Sequence, residues 1–211
     1  MYVEYTGTAF TAILEHPPLT DPDSVRRVVT SEYSRRWAAE WSAPLGFENT
    51  FAILVRRSTA DSLDLRTISD AVPHAENWTA GFGYEFTERE DGLPGLEILY
   101  GLRFSRDPRL MDLGLLYRAL ANGIVDLVAG NSTDGQIAAL DLVMLEDDRR
   151  YFPPFEAAPV VSAAAMKRYP ALREARHQLA GRLDTEEMRA MNRAVDVEGR
   201  DLRQVARDWI E

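Results

Sequence analysis

The side chains that offer chemistry in this sequence are aromatic rings and one arginine, each beside residues typical of turns. Tyr5 lies in Glu-Tyr-Thr-Gly-Thr, Phe51 follows an Asn-Thr pair, and Arg89 lies between acidic residues just before a predicted helix. Residues 131–135, Asn-Ser-Thr-Asp-Gly, follow a predicted strand, so their backbone amides are placed to face an anion. Taken singly, each feature has a structural explanation, because rings usually pack and an arginine beside acids usually forms a surface ion pair.

The sequence carries none of the common catalytic or nucleotide-binding motifs. There is no P-loop and no Gly-x-Ser-x-Gly, and Gly81-Phe82-Gly83 lacks the third glycine of a dinucleotide-binding turn. The chain has no Cys, and its three His residues are far apart, which argues against a zinc site. The acidic run at 146–148 would suit a cation, although a solvated loop end is the favoured explanation. We therefore expect no metal and no cofactor.

Composition narrows the classes of protein further. The 211 residues include 34 acidic and 24 basic side chains, for a formal net charge of −10, and no basic stripe offsets this total. A nucleic-acid-binding function is therefore disfavoured. No run of 18 apolar residues is present, and the first residues lack the basic and apolar regions of an export signal.

Strands that alternate with helices predict an α/β fold. The apolar run at 51–55 predicts a buried strand, and the residues before it predict helices, including one from about Asp21 to Trp41. Further strands are predicted at 81–86, 124–128, 140–145 and 157–161, and further helices at 92–100, 115–121, 170–180, 184–194 and 202–210. Most strands fall in 50–152, which predicts a lobe formed by 50–152 inserted into a lobe formed by 1–49 and 153–211.

A series of short motifs runs through the whole chain in a fixed order. They lie at 4–9, 49–52, 68–70, 88–93, 132–135, 145–149 and 152–161, followed by a tail with Asn192 and Val-Asp-Val-Glu-Gly at 195–199. Together they resemble the substrate-binding component of ABC importers for glycine betaine, choline and related compatible solutes. The resemblance implies a type II periplasmic-binding-protein fold, in which two lobes close on a ligand at a hinge. Relatives carry a further segment before the first motif, so lobe one is expected to be incomplete.

The resemblance also implies a site for a quaternary ammonium ligand, in which aromatic faces surround the cation and an arginine holds a carboxylate. Tyr5 matches the first ring of this aromatic box, and Arg89 matches the arginine. Phe51 and Phe155 stand where many relatives have Tyr, so two rings are kept without their hydroxyls. The residues expected to bind ligand are Tyr5, Thr8, Asn49, Phe51, Arg89, Asn131 and Phe155.

One of these positions departs from the family pattern. Asn131 stands where well-known relatives have a tyrosine of the box, so the box loses one aromatic face and gains an amide. Either affinity falls, or the ligand carries a group that this amide can hydrogen-bond. Bulkier betaines, including ergothioneine-like ones, then become candidates.

Three hypotheses about function stay open at this point. The first is a solute-binding component that serves an ABC permease from outside the cytoplasm. The second is a non-transporting relic or regulatory paralogue that associates with itself, as exposed sheet edges would favour. The third is an enzyme on the same scaffold, which fold alone permits. No nucleophile–base pair supports the third, and Asp134 has a simpler explanation as a helix N-cap.

Overall fold

The computed structural model describes residues 1–210, which divide into two compact units. Unit 1 comprises Met1–Thr50 and Pro153–Met188, and unit 2 comprises Phe51–Phe152 together with the residues from Arg189 onward. The domain boundaries expected from the sequence assigned 153–211 to lobe one, whereas the structure groups the residues from Arg189 onward with Phe51–Phe152.

The elements are numbered in chain order. They are β1 (Tyr2–Tyr5), α1 (Thr6–Thr8), a π-helical turn (Ala9–Ile13), α2 (Pro22–Trp37), β2 (Ala39–Trp41), β3 (Phe51–Arg56), α3 (Arg57–Leu63), α4 (Ile68–Ala75), β4 (Ala80–Phe82), α5 (Tyr84–Glu88), α6 (Leu93–Tyr100), β5 (Arg109–Leu110), α7 (Leu113–Ala121), β6 (Leu127–Asn131), α8 (Gln136–Ala139), β7 (Leu142–Met144), β8 (Ala157–Ser162), α9 (Ala163–Arg168), α10 (Leu172–Leu179), α11 (Thr185–Asp196) and α12 (Leu202–Ile210). None of the helices in residues 1–210 has the length and apolar character that crossing a membrane requires.

Unit 1 is built on an antiparallel sheet with β8 between β1 and β2. Val160 of β8 packs with Val25, Val29 and Tyr33 of α2 in one apolar cluster. The helix predicted to reach Trp41 ends earlier, because Ala38 adopts a left-handed conformation with φ of 48° and the chain continues as β2. The prediction that the first fifty residues are helical was therefore wrong for β1 and β2. Both segments form strands because they pair with the central strand β8 of this sheet.

Unit 2 contains a five-stranded sheet in the order β5-β4-β6-β3-β7, with helices on both faces. Strand β3 pairs antiparallel with β6 and β7, and β4 runs parallel to β5 and β6. Ile53 packs on the face covered by α4 and α6, and Leu54 packs on the face covered by α7. Because both faces of the sheet are covered, β3 is apolar at successive positions, as its sequence indicated.

Two predicted strand boundaries in unit 2 were wrong. The strand predicted at 81–86 ends at Phe82, and Tyr84–Glu88 forms α5, which turns Phe86 into the core. The strand predicted at 124–128 is β6, which covers Leu127–Asn131. This shift makes Asn131 the last residue of the strand, directly at its carboxyl end.

Candidate functional site

Three of the predicted ligand-binding residues come together in unit 2. Phe51, the first residue of β3, is the register partner of Asn131, the last residue of β6. Residues directly opposite each other on antiparallel strands have Cβ atoms about 4.5–5.5 Å apart on one face of the sheet. The Cζ atom of Arg89 lies 5.5 Å from the centroid of the Phe51 ring. A ring, an amide and a guanidinium therefore adjoin, and we call these three residues the Phe51 group.

The Arg89 guanidinium is oriented by two carboxylates. Its Nε and Nη2 atoms each donate a hydrogen bond of 2.7 Å to Asp91, and Nη1 donates one of 3.0 Å to Glu85. The side chains of Arg89 and Asp91 are 13% and 2% exposed. The hydrogen bond with Asp91 is the main reason that the pKa of Arg89 is raised. The surface ion pair that the sequence suggested is thus a largely buried, bidentate one.

A tight connection between α5 and α6 places Arg89 beside Phe51. Arg89 follows the last residue of α5, and Gly92 precedes α6. A Cβ atom on Gly92 would lie 2.1 Å from the carbonyl oxygen of Phe86, so only glycine fits this approach. The glycine of the Glu-Arg-Glu-Asp-Gly motif is therefore required by the turn that positions the arginine.

The Phe51 ring is held by other rings of the same unit. Phe86 meets it edge-on with centroids 5.0 Å apart, and Phe152 lies tilted at 5.9 Å. Phe51 is only partly buried, so it combines a packing role with a ring that is still partly accessible.

Asn131 is anchored through its backbone by Tyr117 of α7. The Asn131 N–H donates to the Tyr117 hydroxyl at 3.0 Å, and that hydroxyl in turn donates to the Asp134 carboxylate. Burial raises the pKa of both Asp134 and Tyr117. The explanation of Asp134 as a helix N-cap was wrong: α8 begins after Gly135, and the Asp134 side chain instead accepts the tyrosine hydroxyl.

Unit 1 gathers a second set of predicted residues. Tyr5 ends β1 and lies edge-on to Phe47, with ring centroids 6.5 Å apart. The Asn49 N–H donates to the carbonyl oxygen of Phe155 at 3.1 Å. A Cβ atom on Gly7 would lie 2.9 Å from two atoms of the Phe155 ring, so this ring packs directly on the backbone of α1. Thr8 is the last residue of the same helix and is half-buried.

Asp147, the central residue of the acidic run at 146–148, is hydrogen-bonded within the protein. Asp147 accepts hydrogen bonds from the Tyr100 hydroxyl at 2.5 Å and from the backbone N–H groups of Tyr151 and Phe152 at 3.0 and 2.9 Å. Asp147 thus orders the turn that leads to Phe152. Across residues 1–210, no group of His, Asp and Glu side chains has the arrangement of a metal site.

Sequence reasoning missed two residues that support the site. Asp91 was treated only as an acid near Arg89, and Tyr117 was assigned to a helix without a role. Glu85 lies in α5, four residues before Arg89, but the sequence predicted a strand at 81–86 and so gave no reason to pair the two residues. No spacing rule points to Asp91 or Tyr117 either, because their contacts depend on a turn and on the packing of α7 against β6.

Comparison with known proteins identifies the family. Residues 1–211 match the family described as the substrate-binding domain of ABC-type glycine betaine transport systems. The carnitine transport binding protein OpuCC of Listeria monocytogenes is 32% identical over 208 residues, covering 98% of this chain and 67% of that protein. The ergothioneine transport permease/ergothioneine binding protein EgtU of Helicobacter pylori is 31% identical, covering 100% of this chain and 38% of that protein.

Comparison with a solved structure identifies the fold. The crystal structure of a glycine betaine/carnitine/choline ABC transporter protein aligns with a TM-score of 0.87 at 33% identity, over 99% of this chain and 76% of that one. This confirms the α/β fold of type II periplasmic binding proteins that the motifs indicated. The chain belongs to the family of substrate-binding domains of ABC-type glycine betaine transport systems.

Proposed function

We propose that this chain binds a quaternary-ammonium solute outside the cytoplasm and delivers it to an ABC permease. The preferred class of ligand is a betaine that bears a carboxylate. The observation that carries the proposal is the Phe51 group, in which a ring, a guanidinium and an amide adjoin. The match to the family supports the permease as partner and the extracytoplasmic location. The proposal includes no catalytic step, so the solute leaves chemically unchanged.

The chemistry of the ligand follows from these groups. A methylated ammonium has no N–H hydrogen bonds to lose on leaving water, and it gains attraction to aromatic faces. We assign this role to the rings of Tyr5, Phe51 and Phe155, with Thr8 and Asn49 as polar contacts. The ligand carboxylate is assigned to Arg89, whose guanidinium is already oriented by Asp91.

Asn131 sets the selectivity in this proposal. Its amide offers a hydrogen-bond donor and acceptor where a tyrosine would offer a ring face. We therefore expect ligands with an additional polar group to be favoured over glycine betaine. Carnitine and ergothioneine, for which two of the relatives are named, each carry such an additional polar group.

The test uses one variant for each end of the ligand. Phe51→Leu is expected to weaken binding of every quaternary ammonium by about tenfold, because one cation–π contact is worth about 1–2 kcal/mol. The matched control is Phe104→Leu. The Phe104 ring is also partly buried against this core, but it contacts Phe82 and not the Phe51 group. Equal losses in both variants would contradict the assignment of Phe51.

Arg89→Lys tests the other end, because it keeps the charge but removes the planar fork. Carboxylate-bearing solutes are expected to lose at least about tenfold in affinity relative to choline, which has no carboxylate. Titration calorimetry of both classes measures this ratio. If the affinity for carboxylate-bearing solutes relative to choline is unchanged in Arg89→Lys, Arg89 does not bind the ligand carboxylate.

A further inference from the structure

The loop that follows β6 is held by two side chains of α11. The Arg189 Nε and Nη2 atoms donate to the carbonyl oxygen of Ser132 at 3.0 and 2.7 Å. The Asn192 Nδ2 atom donates to the carbonyl oxygen of Thr133 at 2.9 Å. Ser132 and Thr133 are only 4% and 3% exposed. Two consecutive buried peptide carbonyls are thus bound by residues 57 and 59 positions further along the chain.

The backbone of α11 also approaches this loop closely. A Cβ atom on Gly135 would lie 2.4 Å from both the N and the Cα atoms of Arg193, so a side chain there would displace the helix. On the strand side, the Tyr117 hydroxyl holds the Asn131 N–H and the Asp134 carboxylate. Residues 131–135 are therefore fixed from two directions, by α7 and by α11.

We infer that Arg189 and Asn192 are positioning residues, which hold the Ser132 and Thr133 carbonyls and thereby set the place of the Asn131 side chain. This gives a role to the C-terminal motif around Asn192 that the proposed site did not use. The arginine contributes a forked, charged donor, which makes stronger hydrogen bonds than a neutral one. The link to ligand selectivity rests on the proposed function, whereas the fixing of the loop does not.

The experiment compares Arg189→Met with Arg193→Met, a matched arginine one turn later on α11. The Arg193 side chain is 49% exposed and pairs with Glu198 at 3.1 Å. Amide hydrogen exchange measured by NMR reports on the loop without any ligand. In Arg189→Met, the amides of Asn131 and Asp134 are expected to exchange at least about tenfold faster, because the hydrogen bonds of a charged donor are lost. The remaining amides of β6 keep their wild-type rates, and Arg189→Lys recovers part of the protection.

The outcomes separate the inference from the proposed function. Acceleration confined to residues 131–135 supports the inference, whereas no acceleration, or equal acceleration across unit 2, overturns it. Titration of glycine betaine, choline, carnitine and ergothioneine forms the second arm, in which the affinity ranking is expected to change in Arg189→Met but not in Arg193→Met. An unchanged ranking would overturn the link to selectivity. A wild-type protein that binds none of the four would refute the proposed function, and the exchange rates would still decide whether α11 fixes the loop.

Discussion

Replacing Arg89 by Met is expected to lower the free energy of unfolding by about 3 kcal/mol, independent of any ligand. The Asp91 carboxylate is 2% exposed and accepts two hydrogen bonds of 2.7 Å from Arg89. Removing one partner of a buried ion pair costs about 3–5 kcal/mol, because the other charge stays buried. The Glu85 side chain is 74% exposed, so its contact adds little. We expect the lower end of the range because Arg89 keeps some exposure to solvent.

The double variant Arg89→Met/Asp91→Leu distinguishes this explanation from simple loss of packing. Replacing a buried ion pair by apolar residues of similar volume is often nearly neutral, so the double variant is expected to recover most of the stability that either single variant loses. The corresponding coupling energy is about 2–3 kcal/mol, which is large for a pair in direct contact but within the observed range.

Urea unfolding of the wild type, both single variants and the double variant completes the cycle. The reasoning would be refuted if each single variant lowered the free energy of unfolding by less than about 1 kcal/mol and the two losses were additive in the double variant. Arg89 and Asp91 would then behave as a surface ion pair. The result also affects how binding data are interpreted. Loss of ligand binding in Arg89→Met alone would combine loss of a contact with loss of stability, which is why Arg89→Lys is the better binding test.

Three further perturbations test the fold around the site. Leu54→Ala removes a side chain that is 0% exposed on β3, an inner strand of the unit 2 sheet. Urea unfolding should show that the free energy of unfolding falls by about 2–5 kcal/mol, and a fall below about 1 kcal/mol would contradict the packing. Gly7→Ala places a Cβ 2.9 Å from the Phe155 ring, whereas Gly83→Ala meets nothing within 4 Å, so only the first should lower the melting temperature clearly. Burial raises the pKa of Asp134 above its usual 3.8, so its stabilising contribution is present below that value and is lost as pH rises through the folded pKa. Wild type should therefore lose stability relative to Asp134→Asn as pH rises above the ordinary carboxyl pKa of 3.8. A pH-independent difference in urea unfolding between the two proteins would contradict this.

The sequence predicted the fold class and most helices well, since its apolar runs and caps are local signals. The inner strand β3 of unit 2 and the strand β8 of unit 1 were found because their apolar runs are continuous. Strand β1 escaped prediction because its residues are half-exposed or exposed and it exists by pairing with β8. Pairing over such a distance leaves no periodic pattern in a four-residue strand.

The candidate site was predicted in part. The positions of Phe51, Arg89 and Asn131 came from the resemblance to a family, and the structure shows that these three residues adjoin. Their supports were not predictable in the same way. The Asp91 fork depends on the turn at Gly92, and the Tyr117 hydroxyl reaches Asn131 only because α7 packs on β6. The spacing of residues along the sequence does not predict such tertiary contacts.

The central claim is recognition of a methylated ammonium by aromatic faces. The most direct test is titration calorimetry of the wild type with choline and with 3,3-dimethylbutan-1-ol, which has the same shape but no charge. We predict that choline binds at least about tenfold more tightly than the neutral compound, in line with one or more cation–π contacts, and that it is recovered unchanged. Equal affinity for the two compounds, or no binding of choline, carnitine or glycine betaine by the folded protein, would contradict the account.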